Sequence, residues 1–233
     1  MSREIPLVLI PGHLGTALSW RYQADELGRD REIIIPEDHT GLASIKSMAA
    51  CIALRLPAAF DLAAWSMGGY IAFELLPLVP ERVRRTMLIH TSARPDTLEA
   101  STARRTLLER LRMEDPEAVF SRQLVEGIWD LSRVEASFLR SIVAENLRLG
   151  FASIEAQVTA LITRGDSRPV LPKLKGKFLV VAGRHDAITT PEAAQEIATL
   201  LPDARLHVFE DVGHFSPWEK PRELNALMRA FLA

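Results

Sequence analysis

Short apolar runs alternate with longer amphipathic stretches along most of this chain, a pattern that indicates strands separated by helices. Each run is four to six residues long and is flanked by glycine, proline or charged residues, which favours strands. Because the runs are apolar almost throughout, we predict parallel strands that are buried on both faces of a sheet. The six predicted strands are residues 7–10, 32–36, 60–65, 86–90, 178–182 and 206–209.

The stretches between these runs have the spacing of amphipathic helices. In residues 44–56, for example, Ile45, Met48, Ala49 and Ile52 fall on one side of a helix. The alternation of strands and helices predicts an α/β fold with a doubly wound, mostly parallel sheet. Further predicted helices are residues 68–76, 191–201 and 222–232.

Residues 96–163 interrupt the alternation, because they show helical periodicity and contain no strand-like run. We therefore predict a core domain made of residues 1–95 and 164–233, with residues 96–163 as an inserted helical lid. Such an insertion can also simply add bulk to the fold. We favour the lid, because open α/β sheets place their sites at the carboxyl ends of the strands and insertions there commonly shape a pocket.

A serine follows the third predicted strand directly, and a predicted helix begins immediately behind it. A serine on so sharp a turn needs small residues two positions away on either side, and Ala64 and Gly68 flank Ser66 in this way. The segment fits the G-x-S-x-G nucleophile elbow with alanine in the first glycine position. An S-x-G-G sequence also occurs in ordinary strand–helix turns, so this segment alone does not establish a nucleophile.

Two residues further along the chain supply the partners that a serine nucleophile requires. In this architecture an orienting acid and then a histidine base follow the serine. Asp186 lies just after the fifth predicted strand and His214 just after the sixth, at the same sheet edge as Ser66. Residue type, order and placement together predict a catalytic triad of Ser66, Asp186 and His214.

The glycine-rich turn after the first predicted strand is the candidate oxyanion hole. The predicted donors are the backbone N–H groups of His13 and of Met67, the residue after the nucleophile. The spacing of Gly12 and Gly15 could also suggest dinucleotide binding. That alternative lacks the three-glycine fingerprint and the acidic residue that should end the second strand.

Four segments of the chain carry a resemblance to a known family. They are IPGHLG at 10–15 with Trp20, WSMGG at 65–69, GRHD at 183–186 with Thr190 and Pro191, and GH at 213–214 with EKP at 219–221. Together they resemble the α/β-hydrolase superfamily, and in particular small bacterial lid-bearing members such as 3-oxoadipate enol-lactonase-like hydrolases, aminoacrylate hydrolases and pimeloyl-carrier methyl ester esterases. The resemblance covers essentially the whole chain, and it implies that fold and the same triad and oxyanion donors. Two departures are Pro11, where many members carry histidine, and Ala64 in the elbow.

Substrate-binding residues are harder to identify from the sequence. The lid aromatics fit a buried core as well as a pocket wall, and His90 fits a structural histidine near the site. The paired arginines Arg104 and Arg105 fit the solvated face of a lid helix, or alternatively capture of an anionic substrate or acyl carrier. His39 is expected at the surface or in a loop. The candidate substrate-binding residues are Trp65, Arg94, Phe120, Leu124, Trp129 and Phe215.

Composition limits which partners, metals and cofactors the chain is expected to bind. The 233 residues suffice for a large core, and the net charge of −2 argues against nucleic acid or an anionic membrane as a partner. The lone cysteine, Cys51, excludes internal disulfides and thiolate metal cages, and the histidines lack metal-ligand spacing, so we expect no metal and no cofactor. The apolar run before Pro11 is too short for a signal peptide, and no stretch is apolar enough for a membrane span, so we expect a cytoplasmic protein. We expect a monomer or homodimer.

These features together predict a serine hydrolase that forms an acyl-enzyme on Ser66. The expected partner is a small-molecule acyl substrate: a small to medium carboxylic ester, thioester or lactone. Two alternatives stay open: hydrolysis of a carbon–carbon bond in a meta-cleavage-type diketone, and a ligand-binding receptor that retains the triad.

Overall fold

Six parallel strands form the centre of the fold in the computed structural model, which describes residues 4–233. The predicted α/β class is confirmed, and each predicted run contributes a strand. The second strand is shorter than predicted and ends before Pro36, which has no N–H group for a ladder bond. The strands are β1 (Glu4–Ile10), β2 (Arg31–Ile34), β3 (Phe60–Trp65), β4 (Val83–Ile89), β5 (Lys177–Gly183) and β6 (Ala204–Phe209).

The strands lie in the order β2-β1-β3-β4-β5-β6 across the sheet. The chain therefore runs outward in opposite directions from β1 and β3, and a crevice forms between the loops that follow these two strands. The ends of β1 and β3 are level, because Ile10 pairs with Ala64. The turn after β1 and the serine after β3 consequently meet in this crevice.

Both faces of the sheet are covered, as the continuous apolarity of the strands predicts. Leu7 and Leu9 of β1 belong to one apolar cluster, and Val8 and Ile10 belong to the cluster on the opposite face. Every residue of β3 is buried. This rigid double-sided packing holds the carboxyl ends of the strands in place.

Helices surround the sheet and begin mostly at residues that favour helix starts. Ser44 accepts a hydrogen bond from Ser47 N at 3.2 Å, and Pro116 and Pro191 stand in the first turns of their helices. Within residues 4–233, no helix combines the length and apolarity needed to cross a bilayer. The helices are α1 (Arg21–Leu27), α2 (Ile45–Ala53), α3 (Met67–Leu75), α4 (Leu98–Met113), α5 (Pro116–Gly127), α6 (Ala136–Ile162), α7 (Pro191–Leu200), α8 (Ser216–Glu219) and α9 (Pro221–Leu232).

Between β4 and β5 the chain forms α4, α5, a short 3-10 turn and α6, which we call the inserted helices, and then a second 3-10 turn at Leu171–Lys173. The path of α6 is interrupted at Gly150, whose φ of 75° lies outside the helical region. Apolar side chains of these helices, such as Phe120 and Phe138, share a cluster with Leu7 and Leu9 of the sheet. The inserted helices therefore pack directly against the core.

Candidate active site

Ser66 occupies a strained turn between β3 and α3. Its φ of 53° is a conformation that residues other than glycine rarely adopt. The turn is held by hydrogen bonds from Ser66 N to Ile89 O and from Thr91 Oγ1 to Ser66 O, both 2.9 Å long. A Cβ on Gly69 would lie 2.3 Å from Thr91 Oγ1, so the close approach of α3 requires glycine there.

Asp186 and His214 are in direct contact, although they are 28 positions apart in the chain. His214 Nδ1 lies 2.8 Å from Asp186 Oδ2, and both side chains are buried. The backbone N–H groups of Ile188 and Thr189 each donate to Asp186 Oδ1 at 2.8 Å. The tight turn after β5 thus fixes the direction of the carboxylate.

The carboxylate of Asp186 is ionised in this setting. Burial raises the pKa of Asp186, but the adjacent His214 ring and hydrogen bonds from His214 and His90 outweigh burial and hold that pKa well below its usual range. An ionised acid at Nδ1 fixes the His214 tautomer, because Nδ1 must carry the proton that it donates. The other ring nitrogen, Nε2, is therefore the one that can accept a proton from a substrate or a nucleophile.

The loop that carries His214 is held from several sides. Trp65 Nε1 donates to His214 O at 3.1 Å, and His214 N donates to Gly127 O at 3.2 Å. Gly213 N donates to Glu219 Oε1, also at 3.2 Å. Since Gly127 ends α5, one of the inserted helices contacts the histidine loop directly.

A cavity of about 130 Å³ opens beside Ser66. Ser66 and His214 both line it, and within residues 4–233 no hydrogen bond joins the Ser66 hydroxyl to another group. Bonds between a nucleophile and its base are often loose before substrate binds. The other lining residues are Gly12, His13, Leu14, Gly15, Ser19, Trp65, Met67, Tyr70, Arg104, Gln123, Leu124, Ile142, Asn146, Leu161, Ile188, Phe215 and Trp218.

The turn after β1 lies against the serine, where the oxyanion hole is expected. A Cβ on Gly12 would stand 3.2 Å from Ser66 Cβ. Met67 is the first residue of α3, a position whose N–H group has no partner within the helix. Within residues 4–233, the N–H of His13 makes no turn or loop hydrogen bond. Both residues that carry the predicted donors thus line the cavity, and the helix dipole adds positive potential at Met67.

Two amide side chains of α6 hold the turn after β1, where the oxyanion hole is expected, and the sequence did not predict these contacts. Leu14 N donates to Gln157 Oε1 at 2.9 Å, and the Asn146 side-chain amide donates to Leu14 O at 3.0 Å. Leu14 has a φ of 61°, so these bonds stabilise an unfavourable backbone conformation. The one available signal was two amide residues at otherwise apolar positions of a helical pattern.

His90 also contacts the candidate acid. Its side chain is fully buried, with Nδ1 2.9 Å from Asp186 Oδ2 and Nε2 2.8 Å from Ser216 Oγ. Burial lowers the pKa of His90 in spite of Asp186, so the ring is neutral. Nδ1–H therefore donates to Asp186, and Nε2 accepts from the Ser216 hydroxyl. The sequence indicated a structural histidine but gave no sign of this partner.

His90, Asp186 and His214 are also the one group of three or more histidines, cysteines or carboxylates within residues 4–233 whose ligand atoms are close enough to hold a metal ion. The contacts among them have hydrogen-bond lengths, 2.8 Å and 2.9 Å. Metal–nitrogen bonds of about 2.0–2.1 Å would require both rings to give up the proton that each shares with Asp186. The arrangement fits proton handling better than metal binding.

The predicted substrate-binding residues divide into two groups. Trp65, Leu124 and Phe215 line the cavity. The other three do not: Arg94 pairs with Glu196 at the surface, Phe120 is buried in the core, and Trp129 stacks on His185 with ring centroids 3.5 Å apart. Arg104 lines the cavity, whereas a solvated helix face was the first expectation. His39 lies in a turn, which agrees with the expectation of a surface or loop position, but its side chain is buried.

Comparison with known proteins gives a consistent picture. Residues 7–227 match the model of the family described as Alpha/beta hydrolase family. A pimeloyl-acyl-carrier-protein methyl ester esterase of Nitrosomonas europaea is 32% identical over 183 residues, covering 74% of this chain and 71% of that protein. A 2-hydroxy-6-oxo-6-phenylhexa-2,4-dienoate hydrolase of Comamonas testosteroni is 27% identical over 86% of this chain and 72% of its own. A thermophilic esterase from Thermogutta terrifontis, solved with malate bound, superposes with a TM-score of 0.83 and 28% identity over 98% of this chain and 89% of that one.

Proposed function

Because the chain belongs to the alpha/beta hydrolase family, we propose that it is a serine hydrolase that cleaves small carboxylic esters, thioesters or lactones through an acyl-enzyme on Ser66. The observation that carries the proposal is the strained serine beside a small cavity that it shares with a histidine bound to an ionised, buried aspartate. A serine nucleophile, a histidine base and an ionised acid are the groups that acyl transfer uses.

The mechanism follows from the positions of these groups. His214 Nε2 takes the Ser66 proton as Ser66 Oγ attacks the carbonyl, and Asp186 stabilises the imidazolium that forms. The N–H groups of His13 and Met67 donate to the developing oxyanion. His214 returns the proton to the leaving group, and it then activates water to release the acid and restore Ser66.

The inserted helices act as the lid in this proposal, over residues 96–163. Supporting this role, Arg104 of α4, Leu124 of α5 and Ile142 of α6 all line the cavity. Most of the remaining wall is apolar, which suits a hydrocarbon acyl group. A cavity of about 130 Å³ is comparable to the engineered cavity of about 150 Å³ that binds benzene, so the acyl group should be short.

A second candidate function is hydrolysis of a carbon–carbon bond, because the Comamonas relative is named for it. The phenyl group of that protein's substrate would by itself fill a volume as large as this cavity of about 130 Å³. The size of the pocket therefore favours ester hydrolysis by this chain.

The proposal is tested with p-nitrophenyl esters of increasing acyl length, together with the dienoate substrate named for the relative. We expect turnover of acetate and butyrate esters, a burst of p-nitrophenol equal to the enzyme concentration, and a loss of about 10⁴-fold or more in Ser66→Ala. The control is Ser141→Ala, the same change on the exposed face of α6.

Three results would count against this function. Near-wild-type activity in folded Ser66→Ala would refute the mechanism, and turnover of the dienoate without any ester turnover would establish the second candidate. A burst with no subsequent turnover would instead indicate a receptor that retains its ligand.

A further inference from the structure

The cavity beside Ser66 carries an unbalanced charge. Among the described residues that line it, Arg104 is the only one with a permanent charge, and none is an aspartate or glutamate. The side chain of Arg104 is 22% exposed, so its guanidinium is largely removed from bulk water. A cation in such a place interacts more strongly with an anion than it would at an open surface.

The nearest acid does not balance this charge, because two arginines share it. Asp96 has a side chain that is 2% exposed, and its Oδ2 accepts from Arg104 Nε at 2.7 Å. Its Oδ1 accepts from Arg164 Nη1, and Arg104 Nη2 reaches the same oxygen only at 3.4 Å. The group of two guanidiniums and one carboxylate therefore has a net charge of +1.

The two arginines are not equivalent. Arg164 also donates to Leu161 O at 2.8 Å and lies over the Tyr70 ring, with its guanidinium carbon 4.1 Å from the ring centre. Within residues 4–233, the Nη1 group of Arg104 has no hydrogen-bond partner. Both arginines have donors left over, since Arg164 Nε is also buried without a hydrogen-bond partner within residues 4–233, but of the two only Arg104 lines the cavity.

A second polar group of the cavity also lacks a partner. His13 Nε2 is buried and makes no hydrogen bond within residues 4–233. Burial, with Arg104 adding to its effect, lowers the pKa of His13 to about 3, so the ring is neutral at physiological pH. A buried polar atom without a partner is rare in native proteins, and it is commonly explained by a ligand or water.

We propose that the substrate's acyl group ends in a carboxylate, which binds Arg104 while the scissile carbonyl lies at Ser66. The substrate class is then a monoester, monothioester or related acyl derivative of a short dicarboxylic acid. A terminal carboxylate cancels the excess charge and accepts the remaining N–H groups of Arg104. The cavity of about 130 Å³ limits the acyl group to roughly the size of benzene, or about six non-hydrogen atoms beyond the carbonyl.

This proposal rests on the function proposed above, and the competing explanation is that Arg104 only anchors α4 to Asp96. An anchor would affect all substrates equally, whereas a binding residue acts on the charged substrate alone. The test therefore compares monoethyl glutarate with its neutral amide counterpart, ethyl 4-carbamoylbutanoate. These two esters have nearly the same shape and differ in one charge.

Wild-type protein is expected to prefer monoethyl glutarate in kcat/KM. Arg104→Gln should reduce that value by about 10- to 100-fold and change the value for the amide ester by less than about threefold. Arg104→Lys keeps the charge and should restore part of the preference. The control is Arg105→Gln, the adjacent arginine of α4, which is exposed and should leave both values unchanged.

A binding measurement keeps this proposal separate from the proposed function. Glutarate and its monoamide are titrated calorimetrically into wild-type, Ser66→Ala and Arg104→Gln proteins, so that no turnover is needed. We expect glutarate to bind wild type and Ser66→Ala about 10-fold or more tighter than the monoamide, and to lose that advantage in Arg104→Gln. Equal binding of the two compounds to wild type, or an equal loss for both esters in Arg104→Gln, would overturn the proposal. Ester turnover with equal binding would leave the serine hydrolase function standing.

Discussion

Loss of the hydrogen bond from His90 to Asp186 should change the pH dependence of catalysis. Asp186 Oδ2 accepts from His214 at 2.8 Å and from His90 at 2.9 Å, so the two rings compete for the same negative charge. His90→Leu removes one donor. The charge on Asp186 is then less shared and stabilises the His214 imidazolium more strongly. The acidic limb of the kcat/KM profile should therefore move to higher pH.

The size of this shift follows from the strength of the lost bond. A hydrogen bond to an ionised group contributes about 1.5–3 kcal/mol. The bond from His90 to Asp186 exists whether His214 is neutral or protonated. Only the difference in its energy between these two states therefore affects the pH profile. If that difference is about 1 kcal/mol, the shift is about 0.7 pH units at 1.36 kcal/mol per unit.

The control for this variant is His90→Asn. An asparagine amide can place an N–H near the position of the histidine Nδ1 atom, and asparagine tolerates the φ of 48° at this site. We expect His90→Asn to keep the acidic limb near that of wild type, while His90→Leu moves it upward. The assay is kcat/KM for a p-nitrophenyl ester across pH 4.5–9, with circular dichroism at each pH to confirm folding.

A lower kcat in His90→Leu without any movement of the acidic limb would refute this prediction, because that result is expected of a residue that only fills space. A shift of the same size in His90→Asn would also refute it, since the donor to Asp186 would then be irrelevant. A downward shift would mean that the sign of the charge argument is incorrect.

Two further predictions concern the loops around the site. Gln157→Leu leaves the N–H of Leu14 without its acceptor, so we expect kcat to fall about 10-fold and KM to change less. The control is Gln195→Leu, the same change on an exposed helix face, which should have no effect on either constant. Burial lowers the pKa of His39 to about 4, so the unfolded chain binds a proton more readily than the folded chain as the pH falls below 6.5. His39 should therefore lower the free energy of unfolding by about 2 kcal/mol between pH 7.5 and pH 5. Urea titrations should show that this decrease is smaller by about 2 kcal/mol in His39→Gln than in wild type. An equal pH dependence in both proteins would contradict the assignment to His39, as an unchanged kcat in Gln157→Leu would contradict the role of that side chain.

The parts of the fold that the sequence predicts well depend on local signals. Continuous apolar runs identify the strands, because a strand covered on both faces has no polar side. The positions of Ser66, Asp186 and His214 follow from a simple rule, since the carboxyl ends of parallel strands meet at one edge of a sheet. The strand order of the structure brings the loops that follow β3, β5 and β6 to this edge.

The parts that the sequence could not predict depend on contacts between distant segments. His90 binds Asp186 across 96 positions, and Leu14 binds Gln157 across 143. The inward direction of Arg104 depends on how α4 is rotated against the core, which periodicity alone does not determine when a helix face is mixed. The buried position of His39 likewise depends on the path of a loop, and loops carry no hydrophobic period.

The contacts of the inserted helices connect substrate selection to the rate of the chemical step. Gln157 and Asn146 of α6 hold Leu14 in the turn after β1, and the carbonyl of Gly127 at the end of α5 accepts from His214 N. The inserted helices also contribute Arg104 of α4 and Ile142 of α6 to the cavity wall. A change that shifts α6 to accommodate another acyl group should therefore also move the neighbouring His13, a proposed oxyanion donor, and a displacement near 1 Å is enough to cost about 10²-fold in rate. For this reason, the acyl specificity of the chain should be altered more safely at residues of α4, such as Arg104, than along the face of α6 that contacts Leu14.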